Sequence, residues 1–159
     1  MSWKTKTLAF VFALTSLSGY VTASIGEESA DASSFTYPRL YCGPEGDTHF
    51  QDLTVELRNT NFAPPAAPIH IGGEVAASRA FFGGFEAGWG AHDLEQRLNH
   101  PAPAIQFAIV VQGTFSITTT DGETRRLRPG GVVRLEDTAP CKGHITVVGD
   151  QTGVLMFVR

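Results

Sequence analysis

The side chains best suited to moving protons in this chain are its five histidines, His49, His70, His92, His100 and His144. An imidazole titrates near neutral pH, so histidine is the natural general acid or base of a protein site. His144 opens the apolar run HITVV, and His100 precedes a proline, as at a strand entry. Cys141 stands three residues before His144, which allows a Cys–His nucleophile pair, although no third orienting group is evident. No G-x-S-x-G motif is present.

Short apolar runs separated by turn signals follow one another through most of the chain, which is the pattern of an all-β fold. Asp121-Gly122 lies between two such runs and is a strong hairpin signal, and Pro129-Gly130-Gly131 marks another turn. Residues 91–98 (AHDLEQRL) have a helical composition, with a loop as the alternative. The predicted strands cover residues 50–57, 69–71, 80–85, 105–112, 114–119, 124–127, 132–135, 144–148 and 153–158.

The predicted strand at residues 105–112 has two unequal faces. Alternate residues from Gln106 to Gln112 are small or mixed in polarity, whereas alternate residues from Ile105 to Val111 are all apolar. A half-exposed strand would show one polar face. Both faces are therefore expected to be covered, the Gln106 face by a cavity. The apolar face would be covered by the second sheet, by the N-terminal segment or by a second subunit. The last of these alternatives motivates a homodimer hypothesis.

The start of the chain has the features of a secretory signal peptide. Lys4 and Lys6 precede an apolar run at residues 8–17, and small residues at 21–23 fit a cleavage site. The run is too short to span a bilayer, so we expect residues 1–23 to be removed from a secreted protein that keeps no membrane segment. An uncleaved anchor is the alternative. Residues 24–38 are polar and acidic, and we predict a flexible lead-in there.

Length, charge and cysteine content narrow the class of protein. About 136 residues would remain after cleavage, enough for one domain with its own core. The formal net charge is −4 and no basic stripe occurs, which argues against a nucleic-acid partner. The two cysteines, Cys42 and Cys141, would meet an oxidising compartment, where one disulfide can form. Two buried thiols acting as small apolar residues are the alternative.

The segment HPAPAIQFAIVVQG at residues 100–113 resembles the first signature of the cupin family, which runs His-x-His, three or four residues, Glu, six residues, Gly. His100, Gln106 and Gly113 stand at the positions of the first His, the Glu and the Gly, and Ala102 replaces the second His. The scaffold positions of the signature are thus kept, while most of its metal chemistry is lost.

The second cupin signature runs Gly, five residues, Pro-x-Gly, two residues, His, three residues, Asn. Residues 122–138 are similar to it with one extra residue after Gly122, and Arg134 and Thr138 stand at the His and Asn positions. The likeness extends from about residue 40 to residue 159. It implies that residues 39–159 form one cupin domain, an all-β jelly-roll β-barrel (a double-stranded β-helix). This fold hosts many unrelated activities, so it says little about the reaction.

Metal-dependent cupins hold iron, manganese or another divalent ion with three His and one Glu. The resemblance places His100, Ala102, Gln106 and Arg134 at these four positions. Alanine cannot ligate, and the guanidinium of an arginine repels a cation. We therefore expect no metal cofactor. The alternative is a rebuilt site for a divalent metal such as Fe, Mn or Zn, with His100, Gln106 and His144 as ligands.

The cupin register implies that His100, Gln106 and Arg134 face one cavity with aromatic walls, which suits a small-molecule ligand. The predicted catalytic residues are His100, Arg134 and His144, and the predicted substrate contacts are Gln106, Trp89 and Phe85. An ion pair with Glu136 or Asp137 is the alternative for Arg134, and either carboxylate can instead tune a histidine. We expect a metal-independent isomerase, lyase or cyclase that acts on a small organic metabolite by acid–base chemistry. A metal-dependent oxygenase and a non-catalytic binding barrel are the alternatives.

Overall fold

The computed structural model describes residues 33–159, which form mainly β-strands with one short helix. The elements in chain order are β1 (Ser34–Cys42), β2 (Thr48–Glu56), β3 (Arg58–Thr60), β4 (Ile69–Ile71), β5 (Ala80–Phe85), α1 (Ala91–Gln96), β6 (Gln106–Gln112), β7 (Phe115–Thr118), β8 (Thr124–Leu127), β9 (Val132–Leu135), β10 (Ile145–Val148) and β11 (Gly153–Val158). The expected all-β class is confirmed in this part of the chain.

The strands form two main sheets and one small one. The larger sheet has the order β2-β1-β9-β6-β11-β5, the smaller has the order β10-β7-β8, and β3 pairs with β4 alone. Neighbours are antiparallel except β1 and β9, which run parallel. Because β1 pairs with β9 and β6 pairs with β11, segments that are distant in sequence lie side by side.

The core is formed by the apolar side chains that the larger and smaller sheets share. Leu40 of β1, Val110 of β6 and Val133 of β9 belong to the larger sheet, and Phe115 of β7 and Val148 of β10 belong to the smaller one. Each is at most 2 % exposed. Burying side chains of this size stabilises the fold by roughly 2 kcal/mol each, so the contact between the sheets is a main source of stability.

The two faces of β6 have different surroundings. Gln106, Ala108 and Val110 are buried, and the first two line a cavity, which confirms the prediction for this face. The apolar face is less covered than predicted, because Ile105 is 54 % and Val111 is 50 % exposed in the part of the chain that the structure describes. The homodimer that would cover this face stays a prediction.

The prediction of a flexible lead-in at residues 24–38 is wrong for its last residues. Strand β1 begins at Ser34 and pairs with β2 along its whole length, as far as Cys42 opposite Thr48. Pro38 is compatible with this strand, because the pairing of β1 with β9 begins only after the proline, at Arg39. Strand β3 was also not predicted. The predicted signal peptide at residues 1–23 lies outside the described residues.

Helix α1 occupies most of the segment that was predicted as a helix or a loop. It follows Gly90, whose φ of 80° and close approach to the backbone oxygen of Thr146 leave room for glycine only. The residues before α1 therefore pass directly over β10. Within residues 33–159, no helix has the length and apolar character needed to cross a membrane.

Candidate active site

A cavity of about 260 Å³ is lined by residues of both main sheets. Its walls are mainly aromatic and aliphatic, with Phe81 and Phe85 from β5, Phe115 from β7, and Leu155 and Phe157 from β11. A cavity of roughly 150 Å³ is large enough for benzene. This cavity can therefore hold one aromatic ring with substituents, and apolar walls with a few polar groups are typical of small-molecule sites.

Phe85 and Trp89, the predicted aromatic substrate contacts, both line the cavity. The Phe85 ring lies edge-on to the rings of Trp89 and Phe115, at centroid distances of 5.1 and 5.5 Å. The Trp89 ring lies 6.2 Å from the ring of His100. Trp89 is 40 % exposed, so it connects the aromatic wall with solvent and with the histidine.

His144 lines the cavity and forms a buried pair with Asp137, which lies behind it. The Nδ1 atom of His144 lies 2.6 Å from the Oδ2 atom of Asp137, and the two residues are 3 % and 0 % exposed. A carboxylate in this position accepts a hydrogen bond from the Nδ1–H group and leaves Nε2 as the acceptor nitrogen of the imidazole. The other carboxylate oxygen, Oδ1, has no hydrogen-bond partner among the described residues.

His100 lies beside His144, so the structure brings the two predicted catalytic histidines together. Their backbones exchange two hydrogen bonds of 2.9 and 3.0 Å, and their ring centroids are 4.8 Å apart. Burial lowers the pKa of His100, and the neighbouring His144 lowers it further. His100 is therefore mainly neutral at pH 7, and a neutral imidazole can both accept and donate a proton.

Gly143 fixes this contact between the histidine segments, because it has a φ of 83° and touches the backbone of His100 and Pro101. We expect Gly143→Ala to lower the free energy of unfolding by roughly 3 kcal/mol or more, since the new Cβ atom meets backbone and the φ is unfavourable. Gly130→Ala is the matched control, because Gly130 has a φ of 87° but nothing within 4 Å of the added carbon. It should cost about 1 kcal/mol. Urea unfolding measures both losses, and equal values would contradict this role of Gly143.

Gln106, the predicted polar substrate contact, points into the cavity from the start of β6. It is 4 % exposed, and its Oε1 atom has no hydrogen-bond partner among the described residues. Buried polar atoms are nearly always hydrogen-bonded, so this oxygen is available to accept a hydrogen bond from a group inside the cavity.

Arg134 does not share the cavity with His100, which corrects the prediction that it is a catalytic residue there. On β9 the side chains of Val133 and Leu135 point inward, and Arg134 lies on the opposite face. Its Nε atom forms an ion pair of 2.6 Å with Glu136, which also pairs with Arg39. The inward positions are apolar, so hydrophobic burial decides the orientation of this strand. Arg134 borders a smaller pocket of about 110 Å³ instead.

Two residues of the site were not found by sequence reasoning. Asp137 was noted only as a possible neighbour of a histidine or an arginine, because nothing in the spacing identified His144 as its partner. Arg159 supplies a guanidinium to the cavity. The alternation of Leu155, Phe157 and Arg159 along β11 was a signal for it, since alternate residues of a strand share one face.

The residues of the cavity do not match the ligand set of a metal-dependent cupin. His100 and His144 are adjacent, but the remaining candidate of the cavity wall, Gln106, is a weak amide donor. Among residues 33–159, no three His, Cys, Asp or Glu side chains are arranged to hold a metal ion. A catalytic metal generally needs three protein ligands. We therefore derive no step through a metal.

The sulfur atoms of Cys42 and Cys141 are bonded to each other, with Cα atoms 5.9 Å apart. The disulfide joins the end of β1 to the segment between Asp137 and His144. Cys141 therefore has no free thiol, and the Cys–His nucleophile pair that the sequence allowed is not formed. The disulfide instead ties the segment that carries both members of the buried pair to the larger sheet.

No protein-family model and no curated protein sequence matches the chain. Among solved structures, the crystal structure of a putative ethanolamine utilization protein Q from Salmonella typhimurium LT2 is similar over 78 % of this chain and 94 % of that chain. The two sequences are 14 % identical, and the TM-score is 0.34. The site is therefore interpreted from its own residues.

Proposed function

We propose that the cavity is the active site of a metal-independent enzyme that moves a proton on a small, mainly apolar metabolite with an aromatic ring. The observation that carries the proposal is the buried contact of 2.6 Å between Asp137 and His144, the histidine that lines the cavity. A carboxylate on Nδ1 orients an imidazole and stabilises the imidazolium that forms when Nε2 takes a proton. A general base of this kind contributes roughly a hundredfold to ten-thousandfold to a proton transfer.

The roles of the site residues follow from their surroundings. His144 removes a proton from carbon beside a carbonyl group, and the electron pair moves to the carbonyl oxygen. His100, neutral at pH 7 because burial lowers its pKa, is the second proton carrier. Phe85 and Trp89 bind the ring of the metabolite. Isomerases, lyases and cyclases can all begin with this step, so the reaction class of the sequence analysis is retained.

We also propose that the fold is a cupin-type jelly roll with a changed site. Two sheets that share one core, a cavity between them, and the placement of His100 and Gln106 at that cavity support this assignment. The position of Arg134 outside the cavity is a departure from the register of the family. The disulfide supports a secreted protein, because disulfides persist in oxidising compartments.

Deuterium exchange tests the proposed activity. Acetophenone and other acetyl-substituted benzenes are incubated with the purified protein in heavy water, and loss of the methyl proton signal is followed by NMR. His144 would take a methyl proton to give the enolate, and a deuteron from solvent would return to the carbon. We expect exchange with the unchanged protein to be roughly a hundredfold to ten-thousandfold faster than with His144→Gln. His49→Gln, which changes a surface histidine, is the control and should leave exchange intact.

Other outcomes separate the remaining functions. Equal exchange with the unchanged protein and with His144→Gln would refute the role of His144. Binding of these compounds without any exchange would favour a non-catalytic binding barrel. Loss of exchange after treatment with a chelator, together with metal found by elemental mass spectrometry, would favour a metal-dependent enzyme.

A further inference from the structure

Gln106 and Arg159 are neighbours on adjacent strands and face the same cavity. Val158 of β11 pairs with Phe107 of β6, so the next residues, Arg159 and Gln106, also lie side by side. Phe107 and Val158 belong to the outer face of the sheet, and alternation turns Gln106 and Arg159 inward. Both residues line the cavity of about 260 Å³, and both also border the smaller pocket.

Each of these two side chains has a buried polar atom without a hydrogen-bond partner among residues 33–159. The atoms are Oε1 of Gln106 and Nε of Arg159. No carboxylate of the described residues forms an ion pair with Arg159. Its guanidinium carbon lies 5.0 Å from the Phe81 ring centre, a stacking contact that leaves the N–H groups at its edge unpaired. An unpaired buried polar atom is costly, so both indicate ligand contacts.

The backbone around Arg159 holds this side chain in place. The carbonyl oxygen of Arg159 accepts hydrogen bonds of 2.6 Å from the backbone N–H groups of Ser78 and Arg79, and its own N–H donates to Arg79. The guanidinium is therefore attached to a fixed point at the entry to β5. A fixed guanidinium binds a carboxylate through two parallel hydrogen bonds, an arrangement that a mobile charge does not provide.

We propose that Arg159 and Gln106 form the polar subsite of this cavity and that it binds the carboxylate and a separate hydroxyl group of an aromatic hydroxy acid. The carboxylate accepts hydrogen bonds from Arg159, and the hydroxyl donates to Oε1 of Gln106. The aromatic ring lies against the apolar wall that includes Phe81 and Phe157. The aromatic hydroxy acid is thus the substrate class of the proposed function. This inference rests on that function, because the metabolite occupies the same cavity.

Calorimetric titration with three small probes at pH 7 tests the subsite. The probes are benzoate, its uncharged analogue benzamide, and 3-hydroxybenzoate, whose hydroxyl is too far from its own carboxylate to bond to it. We expect the unchanged protein to prefer benzoate to benzamide by about tenfold to a hundredfold, because hydrogen bonds to charged groups are stronger than neutral ones. It should prefer 3-hydroxybenzoate to benzoate by roughly threefold to tenfold.

Three variants assign these preferences to residues. Arg159→Met should remove the preference for benzoate over benzamide, and Gln106→Leu should remove only the preference for the hydroxyl. Arg125→Met is the matched control, since Arg125 also stacks on a phenylalanine, 4.8 Å from the Phe50 ring centre, but lines neither the cavity nor the smaller pocket. It should bind all three probes as the unchanged protein does. Circular dichroism verifies that each variant is folded.

Several results would overturn the subsite. They are no binding of benzoate to the unchanged protein, equal binding of benzoate and benzamide, or unchanged benzoate binding in Arg159→Met. Failure of the proposed function is distinguishable, because it concerns deuterium exchange and not binding. His144→Gln should still prefer benzoate to benzamide, as the unchanged protein does. If the unchanged protein binds benzoate but catalyses no deuterium exchange, the subsite is retained and the proposed activity is refuted.

Discussion

Asp137→Asn is expected to slow deuterium exchange by roughly a hundredfold to ten-thousandfold while the protein stays folded. The asparagine amide can place its NH2 group against Nδ1 of His144. Nδ1 would then accept a hydrogen bond, and the proton would move to Nε2, the nitrogen that must act as the base. If the amide oxygen faces Nδ1 instead, it cannot stabilise an imidazolium as a carboxylate does. NMR of the imidazole nitrogens reports which of them carries the proton.

Asp137→Asn should have a free energy of unfolding close to that of the unchanged protein, although its deuterium exchange is much slower. Asp137 is 0 % exposed and its Oδ1 atom has no hydrogen-bond partner among the described residues. Removing the charge of a group in such surroundings relieves a desolvation cost while it weakens the contact with His144. We expect the free energy of unfolding to change by about 1 kcal/mol in either direction. A purely structural pair would show the opposite result, a large loss of stability.

Asp121→Asn is a matched control for this variant. Asp121 lies 2.6 Å from Nδ1 of His49, the same distance as in the buried pair, but both side chains are about one-third exposed and neither lines the cavity. Exchange in Asp121→Asn should equal that of the unchanged protein. Equal exchange in Asp137→Asn and Asp121→Asn would contradict the assignment of Asp137 as the residue that orients the base.

Replacing both cysteines by alanine is expected to lower the free energy of unfolding by about 2 to 5 kcal/mol. Cys42 and Cys141 are 99 residues apart in sequence, so the disulfide closes a long loop and removes much conformational freedom from the unfolded chain. Urea unfolding of the unchanged and the double-alanine proteins measures the loss. Reduction of the unchanged protein with a thiol reagent should produce a similar loss.

The same variant should also slow deuterium exchange, because Cys141 lies between Asp137 and His144 in the chain. Lys142→Met is the control. Lys142 forms an ion pair of 2.8 Å with Asp47, which joins nearly the same two segments as the disulfide, but the pair is exposed. Exposed ion pairs contribute little, so Lys142→Met should change neither unfolding nor exchange appreciably. Equal urea midpoints for the unchanged and double-alanine proteins would contradict the stabilising role of the disulfide.

The sequence by itself determined most of the strands, because strands and turns depend on neighbours in the chain. The bounds of β4, β5, β8, β9 and β11 agree with the prediction. Gly122 and Gly130, which were predicted as turn residues, have φ values of 90° and 87°, a conformation that glycine adopts without strain. Strand β1 was missed because its partners β2 and β9 are defined by pairing and not by a local pattern.

The sequence also identified part of the site. His100, His144, Gln106, Phe85 and Trp89 all line one cavity, as predicted. The spacing of the resemblance pointed to His100 and Gln106, and the alternation of β6 gave the face of the sheet on which Gln106 lies. For Gln106 two independent local signals agreed, and the structure places it at the cavity; the catalytic and binding roles of these residues stay predictions.

Only the tertiary structure decided which charged residues belong to the cavity. Counting along the signature placed Arg134 inside, but burial of Val133 and Leu135 turned it outward, since a shift of one residue in a strand reverses every side chain. The pairing of β11 with β6 brought Arg159 beside Gln106 instead. The contact between Asp137 and His144 likewise depends on how the segment between them folds back against His100. Such contacts join residues through space: strand alternation indicates the face on which Arg159 lies, but no local pattern says which residues lie beside it.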